Sequence, residues 1–336
     1  MLQDEVERIG AEQAGIIEAM HLMIPFAAAL SDTASSVLRD LQLPVVSRLL
    51  GRLQPTALDE GDEYSFSPPH ERALAAAWGW RGGDGALPFA AHMAAADGVH
   101  VDERAWGLIT PVHWHVGRDN VSLADPAALE LDDAESRALF DAVRDLFESV
   151  GIALAWGAPT RWYGAHDSFD ALPCAALDRV IGRNVELWVR NGPTAPAQTR
   201  LIRQLQSEVQ LLLYPHPINE AREARGALPV NSFWLSGCGR AQAISPVSSR
   251  GDLQVDDRLR APLMAEDWAA WADAWRALDA GPLTALQRAA ESGERVMLTL
   301  CGERSAQRFE SITPSAWQRM TQRWRSGSPH AVLEAL

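Results

Sequence analysis

The chain has 336 residues and is 47 % hydrophobic, enough for a sizeable core in one large or two modest domains. Its formal charge of −14 argues against a nucleic-acid backbone as a general partner. There is no lysine, so every fixed cation is an arginine; a Walker-type phosphate loop and Schiff-base chemistry are thereby removed.

Residues 1–20 read as an acidic amphipathic helix rather than a signal peptide. "MHLMIPFAAAL" reads as a buried first strand running into a loop, and it is too short an apolar run to span a bilayer. "SDTASSVLRDL" and "PVVSRLLGRL" are predicted helices, the second with Pro44 at its start. "TALDEGDEYSFSPP" is expected to be a polar linker, "PHERALAAAWGW" a short helix and "RGGDGA" a flexible break. In "LPFAAHMAAADGVHVD" two apolar runs joined by Asp97-Gly98 predict a hairpin. "AWGLITPVHWHVG" is a strand candidate. "DDAESRALFDAVRDLFESVG" is the clearest helix, with an acidic start and apolar residues three and four apart. "IALAWGAPTRWYGAH" is expected as strand and turn, "CAALDRVIGRNVELWV" as a helix, and "TRLIRQLQSEVQLLLY" as a strong amphipathic helix. After the strand "NSFWLSGCG" come the helix "EDWAAWADAWRALDAG", the buried strand "RVMLTLCG" and a helix near Trp317 and Trp324. Alternating strands and helices give an α/β class, and the middle third reads as an inserted domain.

Three clusters could carry chemistry. In "YPHPINEAREARGALPVNSFWLSGCGR" Asn219 is placed to cap a short helix that stops at Gly226, with Arg222 and Arg225 three apart on one face. His216, Asn219, Arg222, Arg225 and Asn231 can surround a phosphate or carboxylate, since arginine forks suit such oxygens. The Gly237–Gly239 turn would bring backbone amides close. The alternative reading has Asn219 as a cap, His216 packed, and the arginines paired with Glu220, Glu223 and other acids. In "HWHVGRDN" His113 and His115 alternate along a strand and share a face, a spacing that can ligate metal with Asp119, or they are two partly buried histidines. Arg118 can line a polar pocket instead. In the third stretch His166 and Asp167 are adjacent, and Arg179 and Arg183 sit four apart as a second arginine cluster that can complete an anion pocket. The cysteines Cys174, Cys238 and Cys301 are far apart and odd in number, so neither a disulfide framework nor a zinc ribbon is indicated. They fit a reducing compartment, and a cytoplasmic location is expected. Trp268, Trp271 and Trp275 have helical spacing and read as one packed face.

The stretch from His216 to Asn231 resembles the HPVN…R…G…PAN signature of archaeal-type cofactor-independent phosphoglycerate mutases, of the alkaline phosphatase superfamily. Here it reads "HPIN", Arg222, Gly226 and "PVN", then "FWLSGCG" where that family has a strand and a Gly-rich turn. "LPFAAHMAAADGVHVDERAWGLI" is similar, more loosely, to the segment that opens the family's inserted substrate domain. The resemblance implies a doubly wound, mostly parallel alkaline-phosphatase-like core from residues 1–85 and 232–336, with residues 86–231 as an inserted α+β domain. It also implies a two-metal site and a serine nucleophile, and here the sequence departs. Where the family's first strand ends in aspartate-glycine, this one has Pro25 and Phe26; the late strand offers Cys301 and Gly302 in place of aspartate-histidine. Ser31, Ser35 and Ser36 lie near the first strand without a supporting metal set.

The pattern is also similar to a proteobacterial family of phosphoglycerate-mutase-like, RpfE-type regulatory proteins. The expectation is a catalytically degenerate relative that binds a small anionic metabolite without a cofactor, in a sensory or regulatory role. No nucleic-acid or membrane partner is expected; a protein partner is compatible with the tryptophan-rich face. The alternative is an active mutase or phosphatase-like enzyme with a relocated zinc or manganese site at His113, His115, Asp119 and His166.

Overall fold

A computed structural model describes residues 19–118, 120–190, 196–245, 253–311 and 328–336. Of the helix expected over residues 1–20, residues 1–18 lie outside them and Met20 belongs to a strand; the helix near Trp317 and Trp324 and Asp119 also lie outside. The described strands run, in chain order, β1 (Met20–Ile24), β2 (Leu53–Asp59), β3 (Ala105–Val112), β4 (Trp114–Val116), β5 (Val121–Leu123), β6 (Ala153–Ala158), β7 (Arg161–Ala165), β8 (Ser232–Arg240), β9 (Leu253–Val255), β10 (Val296–Cys301) and β11 (Ala306–Ser311). The chain is mixed α/β and divides into two compact units: Met1–Glu63, Ala76–Gly79 and Ile244–Leu336 form one, Tyr64–Ala75 and Trp80–Ala243 the other.

The first unit carries a five-stranded sheet in the order β2-β11-β10-β1-β9. β1 pairs in parallel with β10 and β9, whereas β11 is antiparallel to both β10 and β2. Four of the five strands therefore point one way. The central strands are near-continuous apolar runs because both faces are covered. Leu22, Ile24, Leu298 and Leu300 pack with Trp271, Trp275, Leu278 and Leu286 from the helices Trp268–Ala280 and Pro282–Ser292. Trp271 and Trp275 are fully buried and Trp268 half-buried, with rings edge-to-face at 6.0 and 6.4 Å. Helix Pro44–Arg52 begins with Pro44 at its first turn and has no capping side chain of its own. The buried carboxylate of Asp279 takes that role, accepting from Val45 N (3.1 Å) and Val46 N (2.9 Å). The polar stretch expected as a linker begins inside β2. As an edge strand, β2 takes its backbone bonds from β11 while most of its side chains stay in water.

The second unit is built on an antiparallel sheet, β6-β7-β3-β8, with a separate β4-β5 hairpin. β8 had been expected in the core domain; it is hydrogen-bonded along β3. Helices Asp133–Ser149 and Pro196–Leu213 supply Leu139, Phe140, Val143, Phe147, Leu205 and Val209 to a core shared with Ile109, Trp162 and Phe233. The hairpin expected around Asp97-Gly98 is a helix, Phe89–Ala96, with Gly98 at φ 80° in its C-terminal turn. Its alanines have high helix propensity, which outweighs the turn dipeptide. The helix expected over Cys174 to Val189 is broken into Leu177–Val180 and Val185–Arg190, with Gly182 at φ 72° between them.

Candidate functional site

The stretch Tyr214 to Arg240 is a scaffold whose polar groups are used internally. Helix Pro217–Ala224 follows Pro196–Leu213 almost directly. Its N-cap is His216, whose Nδ1 accepts from Ile218 N at 3.3 Å. Asn219, expected as that cap, lies inside the helix and is buried. Its Nδ2 donates to Leu213 O (2.8 Å) and Val230 O (2.7 Å), and its Oδ1 accepts from Val230 N (2.9 Å). Both ends of the amide are thus consumed in tying the long helix to the approach of β8. Asn231 does the same for β4: its Oδ1 accepts from Trp114 N (2.7 Å) and its Nδ2 donates to Trp114 O (3.0 Å).

Arg222 is fully buried. Its Nε donates to Leu228 O at 2.9 Å, and its two terminal nitrogens to Glu135 Oε2 and Leu129 O. Arg225 reaches the other oxygen of the same carboxylate at 2.6 Å. The expected shared face exists, and what it grips is Glu135, in the first turn of Asp133–Ser149. A buried guanidinium with this set of acceptors has no open edge for a ligand anion. Arg222, Asn219 and Asn231 therefore spend their polar groups within the fold, His216 caps its own helix, and Arg225 stands half-exposed beside Glu135.

The second arginine set is itself divided. Helix Leu177–Val180 ends before Arg183, so the four-residue spacing does not put Arg179 and Arg183 on one helix face. Arg179 is buried beside Glu71. Burial pushes the Glu71 carboxyl up to about 8; the nearby Asp178 and Asp84 raise it further and Arg179 opposes them. Arg118 is exposed between β4 and β5.

His113 and His115 do approach one another, with ring centroids 4.5 Å apart. His113 donates from Nδ1 to Pro229 O at 2.8 Å, and burial holds its pKa below the usual imidazole value. His166 lies just beyond β7, where its backbone N bonds Ala105 O at the start of β3; His113 follows the end of β3. The eight residues of β3 separate them by roughly 25 Å at a strand's rise. His166 is turned inward on its own loop, its Nδ1 accepting from Ser168 N at 3.0 Å. These histidines therefore do not form one metal set. No three His, Cys, Asp or Glu side chains among the described residues are grouped to hold a metal ion.

Sites in open α/β sheets lie beyond the carboxyl ends of the strands. Here β1 turns at Phe26, whose φ of 59° is rare for a bulky side chain, and Ala27 N donates to Cys301 O at 2.8 Å. Beyond β10, Arg304 N and Ser305 N donate to Leu336 O at 3.1 and 2.9 Å, and a Cβ on Gly302 would meet Leu336 Cβ at 2.6 Å. Glu303 accepts from Leu30 N at 2.6 Å. Ser31 caps helix Asp32–Asp40 through a 3.4 Å bond to Ala34 N.

An open groove that the sequence reading missed lies in the second unit, between helices Val185–Arg190 and Pro196–Leu213 and strand β8. One part is walled by Leu172, Cys174, Trp188, Ile202 and Trp234. A second part includes Trp114 and Val121, and both parts share Val189, Arg203 and Gln206. The Arg203 guanidinium makes no ion pair or hydrogen bond among the described residues; only its backbone carbonyl is engaged, by Ser207 Oγ at 3.0 Å. Gln206 donates to Phe233 O at 3.1 Å from the buried side of the groove. "TRLIRQLQSEVQLLLY" held the signal only as an arginine on an amphipathic helix, a common feature of solvated faces.

No family model matches the chain, and no curated protein matches it. Among solved structures it is similar to the PH0037 protein from Pyrococcus horikoshii, at 12 % identity and a TM-score of 0.44, over 94 % of this chain and 92 % of that one. It is similar also to a cofactor-independent phosphoglycerate mutase from Thermoplasma acidophilum, at 13 % identity and a TM-score of 0.34, over 94 % and 98 %. No described helix is long and apolar enough to cross a membrane.

Proposed function

We propose that this chain is a non-catalytic binding protein for a small anionic metabolite, in a sensory or regulatory role, and that Arg203 rather than Arg222 receives the anion. The observation that carries this reading is the guanidinium of Arg203, exposed and without a partner among the described residues, on the wall common to both parts of the groove. Charge-assisted bonds to a carboxylate or phosphate are stronger than neutral ones, and strongest where water is partly excluded. Trp188, Trp234, Leu172 and Ile202 supply the apolar wall, so the favoured ligand couples an anionic group to an apolar or planar body. The net charge of −14 opposes anions at long range, so affinity has to come from contact within the groove. The sequence resemblance to phosphoglycerate mutases makes phosphorylated and carboxylated metabolites the first candidates.

The test is isothermal titration of the whole chain with 3-phosphoglycerate and a series of phosphates and carboxylates bearing progressively larger apolar groups. At least one is expected to bind, and Arg203→Ala to weaken it by roughly 10- to 100-fold, the worth of a hydrogen bond to a charged group. Binding by none of them, or an Arg203→Ala variant that titrates like wild type, would overturn the reading.

A further inference from the structure

Two thiols 64 residues apart in the chain face one another in the second unit, Cys174 Sγ to Cys238 Sγ at 3.8 Å, and both are free. The surroundings hold them there. The Cys174 loop is pinned at three places: Cys174 N donates to Gly85 O (2.9 Å), Ala176 N to Phe66 O (2.9 Å), and Trp234 Nε1 to Ala175 O (2.8 Å). Gly85, at φ 73°, permits this approach, since a Cβ there would lie 2.9 Å from Cys174 O. On the other side, "SGCG" is an irregularity within β8 and not the ligand-facing turn its glycines suggested. Gly237 and Gly239 have φ of 64° and 149°, and the register against β3 shifts between Trp106 and Leu108. Opposite, Gly107 leaves room for the thiol: a Cβ there would stand 3.2 Å from Cys238 Sγ.

We propose that Cys174 and Cys238 are a modification site, closing to a reversible disulfide when a peroxide reaches Cys174. Cys174 is half-exposed and lines the groove, while Cys238 is fully buried, so the two have distinct parts. The Cys174 thiolate attacks one peroxide oxygen: an S–O bond forms, the O–O bond breaks, and the departing hydroxide leaves as water with the thiol's proton. Cys238 sulfur then attacks Cys174 sulfur: the S–S bond forms, the S–O bond breaks, and the second hydroxide leaves as water with the Cys238 proton. Two thiols and one peroxide give one disulfide and two waters, and a dithiol reductant reverses the change. Burial pushes the Cys238 thiol well above its ordinary pKa, so Cys174 and not Cys238 is the group that meets peroxide first, and Cys238 gives up its proton only as its sulfur attacks. The sulfurs have about 1.8 Å left to close to reach bonding distance. The proposal is independent of the groove's ligand.

The experiment exposes the whole folded chain to hydrogen peroxide, blocks remaining thiols with N-ethylmaleimide under denaturing conditions, and maps the peptides by mass spectrometry. Expected are a Cys174–Cys238 cross-linked peptide, loss of two hydrogens from the intact mass, alkylation at Cys301 alone, and full reversal by dithiothreitol. Cys174→Ser and Cys238→Ser should each abolish the cross-link, and Cys301→Ser should retain it. Peptide mapping of the wild type decides the matter even if a variant folds poorly. Oxidation of Cys174 to its sulfinic acid with Cys238 still alkylated, a cross-link through Cys301, or no oxidation would each overturn the proposal.

Discussion

Arg222 and Arg203 sit on consecutive helices of one unit, carry the same charge, and have opposite situations. Arg222 is buried and held by one carboxylate and two carbonyls, whereas Arg203 stands at the wall of an open groove with no partner for its guanidinium among the described residues. The first has the company, asparagines, a histidine and a second arginine, that suggests a ligand grip. The second is an isolated cation on an amphipathic helix. A dense polar cluster can be dense because its members satisfy each other, and the chemistry left over for a ligand then resides elsewhere.

The contrast is open to direct attack. The largest effect is expected from Arg222→Ala, which takes the buried partner from the Glu135 carboxylate, leaving only half-exposed Arg225, and unpairs two carbonyls. It should cost about 3–5 kcal/mol in denaturant unfolding, and a loss below about 1 kcal/mol would show that the clamp is not structural. Asn219→Ala removes bonds to Leu213 and Val230 and leaves buried backbone groups unpaired. A loss on the order of 2–3 kcal/mol is expected by the same measurement.

Two carboxyls of the second unit, Glu135 and Glu71, sharpen the picture further. Glu135 has two arginine partners, whereas Glu71 is pushed up to about 8 chiefly by burial. Between its ordinary value of 4.5 and about 8, Glu71 holds a proton in the folded chain that the unfolded chain has released. Stability from this group is therefore complete below the lower value and is lost as pH rises through that window. Glu71→Gln should flatten the decline in melting temperature over this range, and an unchanged profile would count against the buried neutral acid. Arg225→Ala loses one half-exposed partner of Glu135, so about 1 kcal/mol or less is expected. The smallest stability change belongs to Arg203→Ala, within about 0.5 kcal/mol, because its guanidinium has no partner among the described residues. A larger loss there would erase the distinction between the two arginines.

Much of the fold was legible locally. Asp133–Ser149 announced itself by apolar spacing and acidic capping; the buried β1 and β10 by unbroken apolar runs; Trp271 and Trp275 by their helical interval. The errors were also local. Asp97-Gly98 terminates an alanine-rich helix, and β2 was hidden because an edge strand needs little apolar alternation. The candidate site was less legible. His113 and His115 were rightly placed as neighbours, but His166 went to the far end of β3, a separation no spacing in the sequence could reveal.

The sequence by itself determined which side chains were available: thirty arginines with no lysine, Pro25-Phe26 after β1 and Cys301-Gly302 at the end of β10, and a stretch rich in caps and turns. Only the tertiary structure decided which arginine was already spent. Glu135 and Leu129 lie 87 and 93 residues before Arg222 in the chain, and they become its partners only when the helices pack. Whether a charge is free for a ligand depends on every acceptor that folding brings within about 3 Å of it, and local sequence carries no record of those distances.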